Sequence, residues 1–341
     1  RDAKRVALCP RGEPGRPLSF SMRRLSLVVA LLAGLALPVQ ADQPADGDVA
    51  GWLARMAAAE RGQSYQGTFV YERNGSFSSH GIWHRVEAGG QVRERLLQLD
   101  GPAQEVLRID GRPQCVSGAP AEQLVAAAPL AMRPLAAAQL AGHYQLRHVG
   151  ESRVAGRRAV VLLMLPRDRH RYGFELHLDR LTGLPLKSLL LSEQGQLLER
   201  LQFTQMDTLT PLGEQALSPS VACLPIVATA AAPVAARRWH AGWLPAGFSL
   251  LAAMGRRDPD SGMVLSWLLF ADGLARFSVF IDPLQGEAPA AARTQLGPTV
   301  VLSRPMPTAA GEFMVTVVGE IPPGTAERVA LAMQPAQESR P

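Results

Sequence analysis

Residues 171–206 read RYGFELHLDRLTGLPLKSLLLSEQGQLLERLQFTQM. Tyr172, Phe174, Leu176 and Leu178 alternate with Gly173, Glu175, His177 and Asp179, the period of a strand with one apolar face. DRLTG and SEQG supply two turns, with Gly183 and Gly195 free to take positive φ. Leu186–Leu191 and Leu197–Phe203 then return as further strands. A meander this well specified commits the chain to an antiparallel sheet with one face turned away from water.

The rest of the chain extends that plan. Val49, Trp52, Leu53 and Met56 recur at helical spacing behind Asp48, so a capped amphipathic helix begins there. Residues 64–87 form two strands around Asn74-Gly75, and 92–118 add two more pieces punctuated by Asp100-Gly101 and Asp110-Gly111. Residues 120–141, rich in Ala and Leu and broken by Pro129 and Pro134, predict short helices. Residues 208–236, with four prolines, many alanines and few charges, read as a connection. Beyond it, strands flank Asp272-Gly273 and recur at TVVLS and FMVTVVGEI. A closing helix has Ala326, Val329, Ala330 and Met333 as its apolar stripe and Thr325 as its cap. The fold class is therefore α+β, in two sheet-bearing parts.

The N-terminal residues set the compartment. From Met22, MRRLSLVVALLAGLALPVQA has a basic start, an apolar run from Leu25 to Leu37 and a small-residue end at Ala41. This predicts a signal peptide over 22–41, preceded by upstream sequence over 1–21. The apolar run is short for a membrane span, which takes about 20 residues. Charge follows suit. The chain carries 35 basic and 30 acidic residues, but 1–41 hold seven of the former and two of the latter. The mature part keeps 28 of each, so the basic balance expected of a nucleic-acid binder is absent from it. Cys115 and Cys223 remain after Cys9 leaves with the leader. In an oxidising compartment they either form a disulfide, the reading preferred here, or stay as two buried thiols.

No G-x-S-x-G, H-E-x-x-H, C-x-x-C, P-loop or G-x-G-x-x-G motif occurs. His80 and His84 share a strand face, but four residues span roughly 13 Å, too far for one metal ion. The sequence thus predicts neither an enzyme nor a metal or cofactor site. The apolar strand residues Phe69, Tyr71, Trp83, Leu97, Leu99, Phe174, Leu176, Leu201 and Phe203 either fill a core or line a cavity for an acyl chain. Burial of each methylene there would contribute about 0.8 kcal/mol. The arginine-rich run 167–171 reads as a solvated face able to meet anionic groups. Trp239, Trp243, Phe248, Arg276 and Phe277 are candidate partner contacts, since aromatics and arginine dominate interfaces; core packing is the competing reading for the aromatics.

Several stretches carry a resemblance: SYQGTFVYERNGSFSSHGIWHRVE, RERLLQLDGPAQEV, GESRVAGRRAVVLLMLPRDRHRYGFELHLDRLTGLPLKSLLL and FADGLARFSVFIDP. They resemble the MucB/RseB family of periplasmic negative regulators of an envelope-stress sigma factor, from about Trp52 to Met333. The resemblance implies a large unclosed antiparallel β-barrel over 42–207, with helices on its concave side as in LolA and LolB. It implies a connection over 208–236, a small sheet-and-helix domain over 237–334 and a tail over 335–341. It also implies a partner, the periplasmic part of a MucA- or RseA-type anti-sigma factor, which the regulator shields from proteolysis until lipid or lipopolysaccharide binding releases it. A periplasmic lipid or lipoprotein carrier is the alternative, and a homo-oligomer stays open.

Overall fold

A computed structural model describes residues 47–102, 104–118, 137–219, 223–225, 239–257, 262–286, 289–309 and 311–336. The expected leader over 1–41, most of the 120–141 segment, residues 220–222 and 226–236 of the connection and most of the 335–341 tail lie outside the described residues.

Helix α1 (Val49–Gly62) begins as its sequence dictates: the Asp48 carboxylate accepts from the Gly51 amide at 2.8 Å. Strands β1 (Tyr65–Arg73) and β2 (Ser76–Val86) follow, with Asn74 and Gly75 both left-handed at φ 52° and 73°. This is the geometry a two-residue hairpin loop requires. Strands β3 (Val92–Gln98), β4 (Glu105–Ile109) and β5 (Arg112–Ser117) continue the meander. A short helix α2 (Ala137–Ala141) precedes β6 (Tyr144–Val154), β7 (Arg157–Pro166), β8 (Gly173–Asp179), β9 (Pro185–Leu191) and β10 (Leu197–Asp207). With the two-residue β11 (Leu224–Pro225), these form one eleven-stranded antiparallel sheet, ordered β11-β5-β4-β3-β2-β1-β10-β9-β8-β7-β6. Among the described residues the sheet is not closed, since β11 and β6 each have a single neighbour there. Strand β1 in the middle pairs with β10, so the first strand of the large half lies beside one that follows it by more than a hundred residues.

Helices α1 and α2 lie in the hollow of this sheet. Trp52, Leu53 and Met56 of α1 and Leu140 of α2 are fully buried against Val160, Leu162, Met164, Leu176 and Leu178. Ala59, one turn further along α1, meets a second cluster with Phe69, Ile82 and Phe203. On the convex side, a 3-10 turn (Glu214–Leu217) is held by Arg93, whose Nη1 donates to Glu214 at 2.9 Å, and by Arg95, whose Nη1 donates to the Ala216 carbonyl at 3.2 Å. Part of the segment read as a connection therefore packs on the large sheet. Cys115 on β5 and Cys223 beside β11 are joined by a disulfide, with Cα atoms 5.5 Å apart.

The small half has a six-stranded antiparallel sheet, ordered β13-β14-β15-β18-β17-β16. Its strands are β13 (Ser249–Arg257), β14 (Val264–Ala271), β15 (Arg276–Pro283), β16 (Ala292–Leu296), β17 (Thr299–Thr308) and β18 (Gly311–Gly319). Helix α3 (Pro323–Ala332) covers one face through Ala326, Val329 and Ala330, and β12 (Trp239–Ala241) pairs with β19 (Met333–Pro335). The start of α3 differs from expectation. Pro322 occupies the cap position and Pro323 the first turn, where a missing N–H costs nothing, so Thr325 lies inside the helix and is buried.

The disulfide closes a loop of sequence separation 108. Its reduction is expected to lower stability by up to about 4.7 kcal/mol on the chain-entropy account, read as a lower urea midpoint in the presence of reductant. A Cys115→Ala/Cys223→Ala variant should unfold at the reduced midpoint whether or not reductant is present.

Candidate functional site

Strand parity decides which of the apolar candidates share a face. Phe69 pairs with Phe203 and with His80, and Tyr71 with Leu201 and Ser78. The register passes through Ser188 to Leu176 and through Leu190 to Phe174. These six candidates, Phe69, Tyr71, Phe174, Leu176, Leu201 and Phe203, therefore all face the hollow. Rings there make direct contact: Phe69 stacks on His80 at 5.1 Å and meets Phe203 at 5.5 Å. Phe69, Leu176 and Phe203 are buried, whereas Tyr71, Leu201 and Phe174 are half-buried and form an accessible rim. Burial raises the Tyr71 phenol well above its ordinary range, and its hydroxyl donates to Glu199 at 2.8 Å.

The other three do not belong to this face. Trp83 pairs with Gln66, one position out of phase with Phe69, and Leu97 pairs with Gly81. Both side chains are convex, and the Arg95 guanidinium lies 4.6 Å over the Trp83 ring while pairing with Glu105. Leu99 lies beyond the end of β3 and is half exposed. A slip of one residue in phase moves a side chain to the opposite surface, so apolar character alone could not assign these three.

A titratable row crosses the hollow beside the end of α1. Tyr65 stacks on His84 at 4.7 Å, and His84, Glu94 and Arg108 are successive cross-strand neighbours. The Nδ1 of His84 lies 2.9 Å from the Glu94 carboxylate and its Nε2 3.0 Å from the Glu60 carbonyl oxygen. Contacts on both ring nitrogens make His84 a tie between α1 and the sheet. Burial opposes charge on Glu94, but the hydrogen bond and charge of His84, with Arg108, hold its carboxyl below the ordinary range. Burial also pushes the Arg108 guanidinium down, and its Nε has no hydrogen-bond partner among the described residues. The Glu60 carboxyl is pushed up to about 7 by burial; the His84 charge opposes this and the Glu94 charge adds to it.

Where the two halves meet, the arginine run contributes its last residue. Arg171 and Asp272 are both 0 % exposed, with Arg171 Nη1 donating to Asp272 Oδ2 at 2.5 Å. The Tyr144 hydroxyl donates to the same oxygen at 3.0 Å. Arg171 Nη2 donates to Asp168 at 2.9 Å and to the Ala246 carbonyl at 2.6 Å, and its guanidinium lies 5.0 Å over the Phe248 ring. The other Asp272 oxygen accepts from the amides of Leu274 and Ala275 at 2.9 and 2.7 Å, which shapes the β14–β15 turn. Leu274 at that turn enters the core of the large half beside Leu140 and Tyr144. Gly247, at φ 87°, must be glycine because a Cβ there would stand 2.2 Å from the His143 ring. The 167–171 run is a solvated face only in part: Arg167 and Arg169 are exposed, whereas pairing with Asp272, Asp168 and Ala246 removes Arg171 from water entirely.

The partner-contact candidates divide in the same way. Trp239, Phe248 and Phe277 belong to the core of the small half, and Trp239 Nε1 donates to the Ser266 hydroxyl at 3.2 Å. Their burial corrects the expectation that they present a surface to a partner: the aromatic mass is needed to fill the space between the sheet and α3. Trp243 lies at the junction of the halves, 5.1 Å from the His170 ring and with Arg328 stacked at 3.8 Å. Arg276 is exposed.

A second contact between the halves is wetter. Arg73 at the end of β1 bonds the Thr299 hydroxyl and lies 3.5 Å from Glu320, while its other contacts are Tyr71 and, at 3.7 Å, Glu199. Beside it is an open cleft of about 450 Å³ lined by Glu72, Asn74, Gly75, Leu197, Leu198, Gln295 and Gly297. Among the described residues, no group of three or more His, Cys, Asp or Glu side chains is placed to hold a metal ion.

A curved sheet with helices in its hollow, jointed to a small sheet-and-helix unit, is the architecture of a two-part binding scaffold. The chain belongs to the MucB/RseB family: the family's N-terminal domain model matches residues 48–221 and its C-terminal domain model residues 233–334. It is 57% identical over 92% of its length to the sigma factor AlgU regulatory protein MucB of Pseudomonas aeruginosa, of which it covers 98%. It is 27% identical over 91% of its length to the sigma-E factor regulatory protein RseB of Salmonella typhimurium, of which it covers 97%. A crystal structure of MucB in complex with MucA(peri) matches with a TM-score of 0.74 and 57% identity, over 85% of this chain and all of that one. A structure of MucB by itself matches with a TM-score of 0.63 and 55% identity, over 84% and 97% of the two chains.

Removing one member of a fully buried ion pair leaves an uncompensated charge, which costs about 3–5 kcal/mol. Asp272→Ala should therefore lower the urea midpoint sharply, and Arg171→Met/Asp272→Leu should recover part of the loss. Glu60 yields a pH dependence. Its folded value of about 7 lies above its ordinary 4.5, so its contribution is complete below pH 4.5 and is lost as pH rises through 7. At about 1.4 kcal/mol per pKa unit the loss is at most about 3.5 kcal/mol. Glu60→Gln should be less destabilised than the parent between pH 5 and 8, measured by thermal melting across that range.

Proposed function

We propose that this protein is a periplasmic regulator that binds the periplasmic region of a membrane anti-sigma factor of the MucA/RseA type. In this reading it protects that region from regulated proteolysis and lets it go when lipid or lipopolysaccharide binds. The observation that carries the reading is the match along its length to MucB crystallised with MucA(peri), at 57% identity and a TM-score of 0.74. Residues 22–41 direct export, and among the described residues no helix is long and apolar enough to cross a membrane. The parts over 42–207 and 237–334 act as distinct modules around the 208–236 connection.

The lipid-responsive surface in this reading is the rim of the hollow: Tyr71, Leu201 and Phe174, with His80 beside them. The deeper wall is already occupied by Trp52, Leu53 and Met56 of α1. Apolar side chains half in water are where an acyl chain gains most, at about 25 cal/mol per Å² removed from solvent. Lipid and partner would act on each other through thermodynamic linkage, each weakening the other by one common factor.

Titration of a synthetic peptide spanning the anti-sigma periplasmic segment, with and without saturating lipopolysaccharide, tests this. Lipopolysaccharide should weaken peptide binding by roughly 5–150-fold, the range of typical coupling energies. Unchanged affinity would rule out linkage, and no binding at all would rule out the partner.

A further inference from the structure

The two halves touch end to end, and their two contacts differ in kind. On the large sheet the contacts fall at one end of neighbouring strands: the start of β6, the end of β7 and the start of β8 on one side, and the end of β1 on the other. In sheet order β8 and β1 are three strands apart, roughly 14 Å at the usual strand spacing. On the small sheet the matching positions are the β14–β15 turn on one side, and the β16–β17 turn and the end of β18 on the other.

At the first contact the halves interlock. Asp272 and Arg171 are wholly buried, Leu274 enters the opposite core, and Gly247 lies against His143 with no room for a Cβ. His170 Nδ1 lies 3.1 Å from the Thr325 hydroxyl, which ties the first turn of α3 to the same loop. Separating these groups would leave charges and a leucine without partners, which costs several kcal/mol. The second contact hangs on Arg73, whose side chain is 24% exposed and whose acidic partner Glu320 is 35% exposed. Ion pairs this wet are screened and contribute little. An open cleft, not a core, adjoins it.

We propose that the Asp272 turn in its Arg171–Tyr144 socket is a fixed pivot, and that the small half swings about it to open and close a mouth at Arg73. Rotation about the socket keeps the buried pair intact and breaks only the Arg73 contacts, so the cleft between the β1–β2 and β16–β17 turns widens. Motion on such a pivot supplies the two arrangements that linkage between lipid and partner requires, and in that respect the inference rests on the proposed function. Hinged closure of this sort localises movement to a few contacts while the packed elements stay rigid.

The mouth offers a direct test. A Cβ placed on Gly297 would lie 3.6 Å from the Asn74 Cβ, within the span of about 3.5–4.5 Å that a disulfide needs. Asn74→Cys/Gly297→Cys in the mature protein, with Cys115 and Cys223 left paired, should therefore lock the mouth shut on mild oxidation. Gly297 is left-handed at φ 58°, so Gly297→Cys alone serves as the control for strain. Two measurements follow. Spin labels at the exposed positions Ser76 and Leu296, across the mouth, should give a distance distribution at least twofold broader than labels at Ala138 and Glu327, across the pivot. Equal widths, or a broader distribution across the pivot, overturn the inference without reference to any ligand. In the locked protein, lipopolysaccharide should no longer change affinity for the anti-sigma peptide, whereas the same variant with alkylated thiols should respond as the parent does. A locked protein that still responds also overturns the inference. A parent protein that never responds refutes the linkage reading instead, and the label distances still decide the pivot.

Discussion

The arrangement of this molecule depends on a salt bridge that no solvent reaches. Arg171 comes from a loop between two strands of the large sheet and Asp272 from a turn in the small one, and neither has any exposed surface. Two charges taken out of water gain from each other only when every remaining donor and acceptor is also matched. Here Tyr144, Asp168, the Ala246 carbonyl and two turn amides do the matching. The pair therefore acts through specificity: any other seating of the small half would strand a guanidinium and a carboxylate in a dry interface. The aromatic side chains around it, Phe248 and Trp243, serve the same junction by stacking on Arg171 and Arg328.

Sequence reasoning saw the elements more clearly than their partners. The alternation in 172–178 and the turns at Asn74-Gly75, Asp110-Gly111 and Asp272-Gly273 are local signals, and each is realised with the expected parity and positive φ. Cys115 and Cys223 lie far apart in sequence, so composition could name the pair without deciding between a bridge and two thiols. The register that puts Phe69 and Tyr71 in the hollow but Trp83 and Leu97 outside it depends on long-range pairing. Likewise, nothing within RDRHR distinguishes Arg171 from its exposed neighbours; only the distant aspartate does. At α3 the miss was local: two prolines at 322 and 323 outrank a threonine as a start signal, because they preset φ where an amide hydrogen is not needed.

The hollow of the large sheet is neither empty nor uniformly filled. Helix α1 carries Trp52 and Met56 into the wall formed by β6–β8, and its last turn is tethered through the Glu60 carbonyl to His84. Arg55 and Gln63 bind the carbonyls of Leu181 and Thr182 in the β8–β9 turn at 2.5 and 2.9 Å. The helix is thus part of the wall that a guest would meet, and the accessible apolar surface lies along β1 and β10 and at the start of β8.

The disulfide has a consequence for reach. Between Asp207 at the end of β10 and Trp239 at the start of β12 the chain could extend by about 110 Å, at some 3.3–3.6 Å per residue. Fixing Cys223 to β5 puts an anchor on the large sheet at that residue, from which the contour to Trp239 is about 55 Å at full extension on the same measure. A small half detached from its socket would therefore search a volume several times smaller than an uncrosslinked chain allows. Its effective concentration at the large sheet rises accordingly, so recapture is faster in an oxidising compartment than in a reducing one.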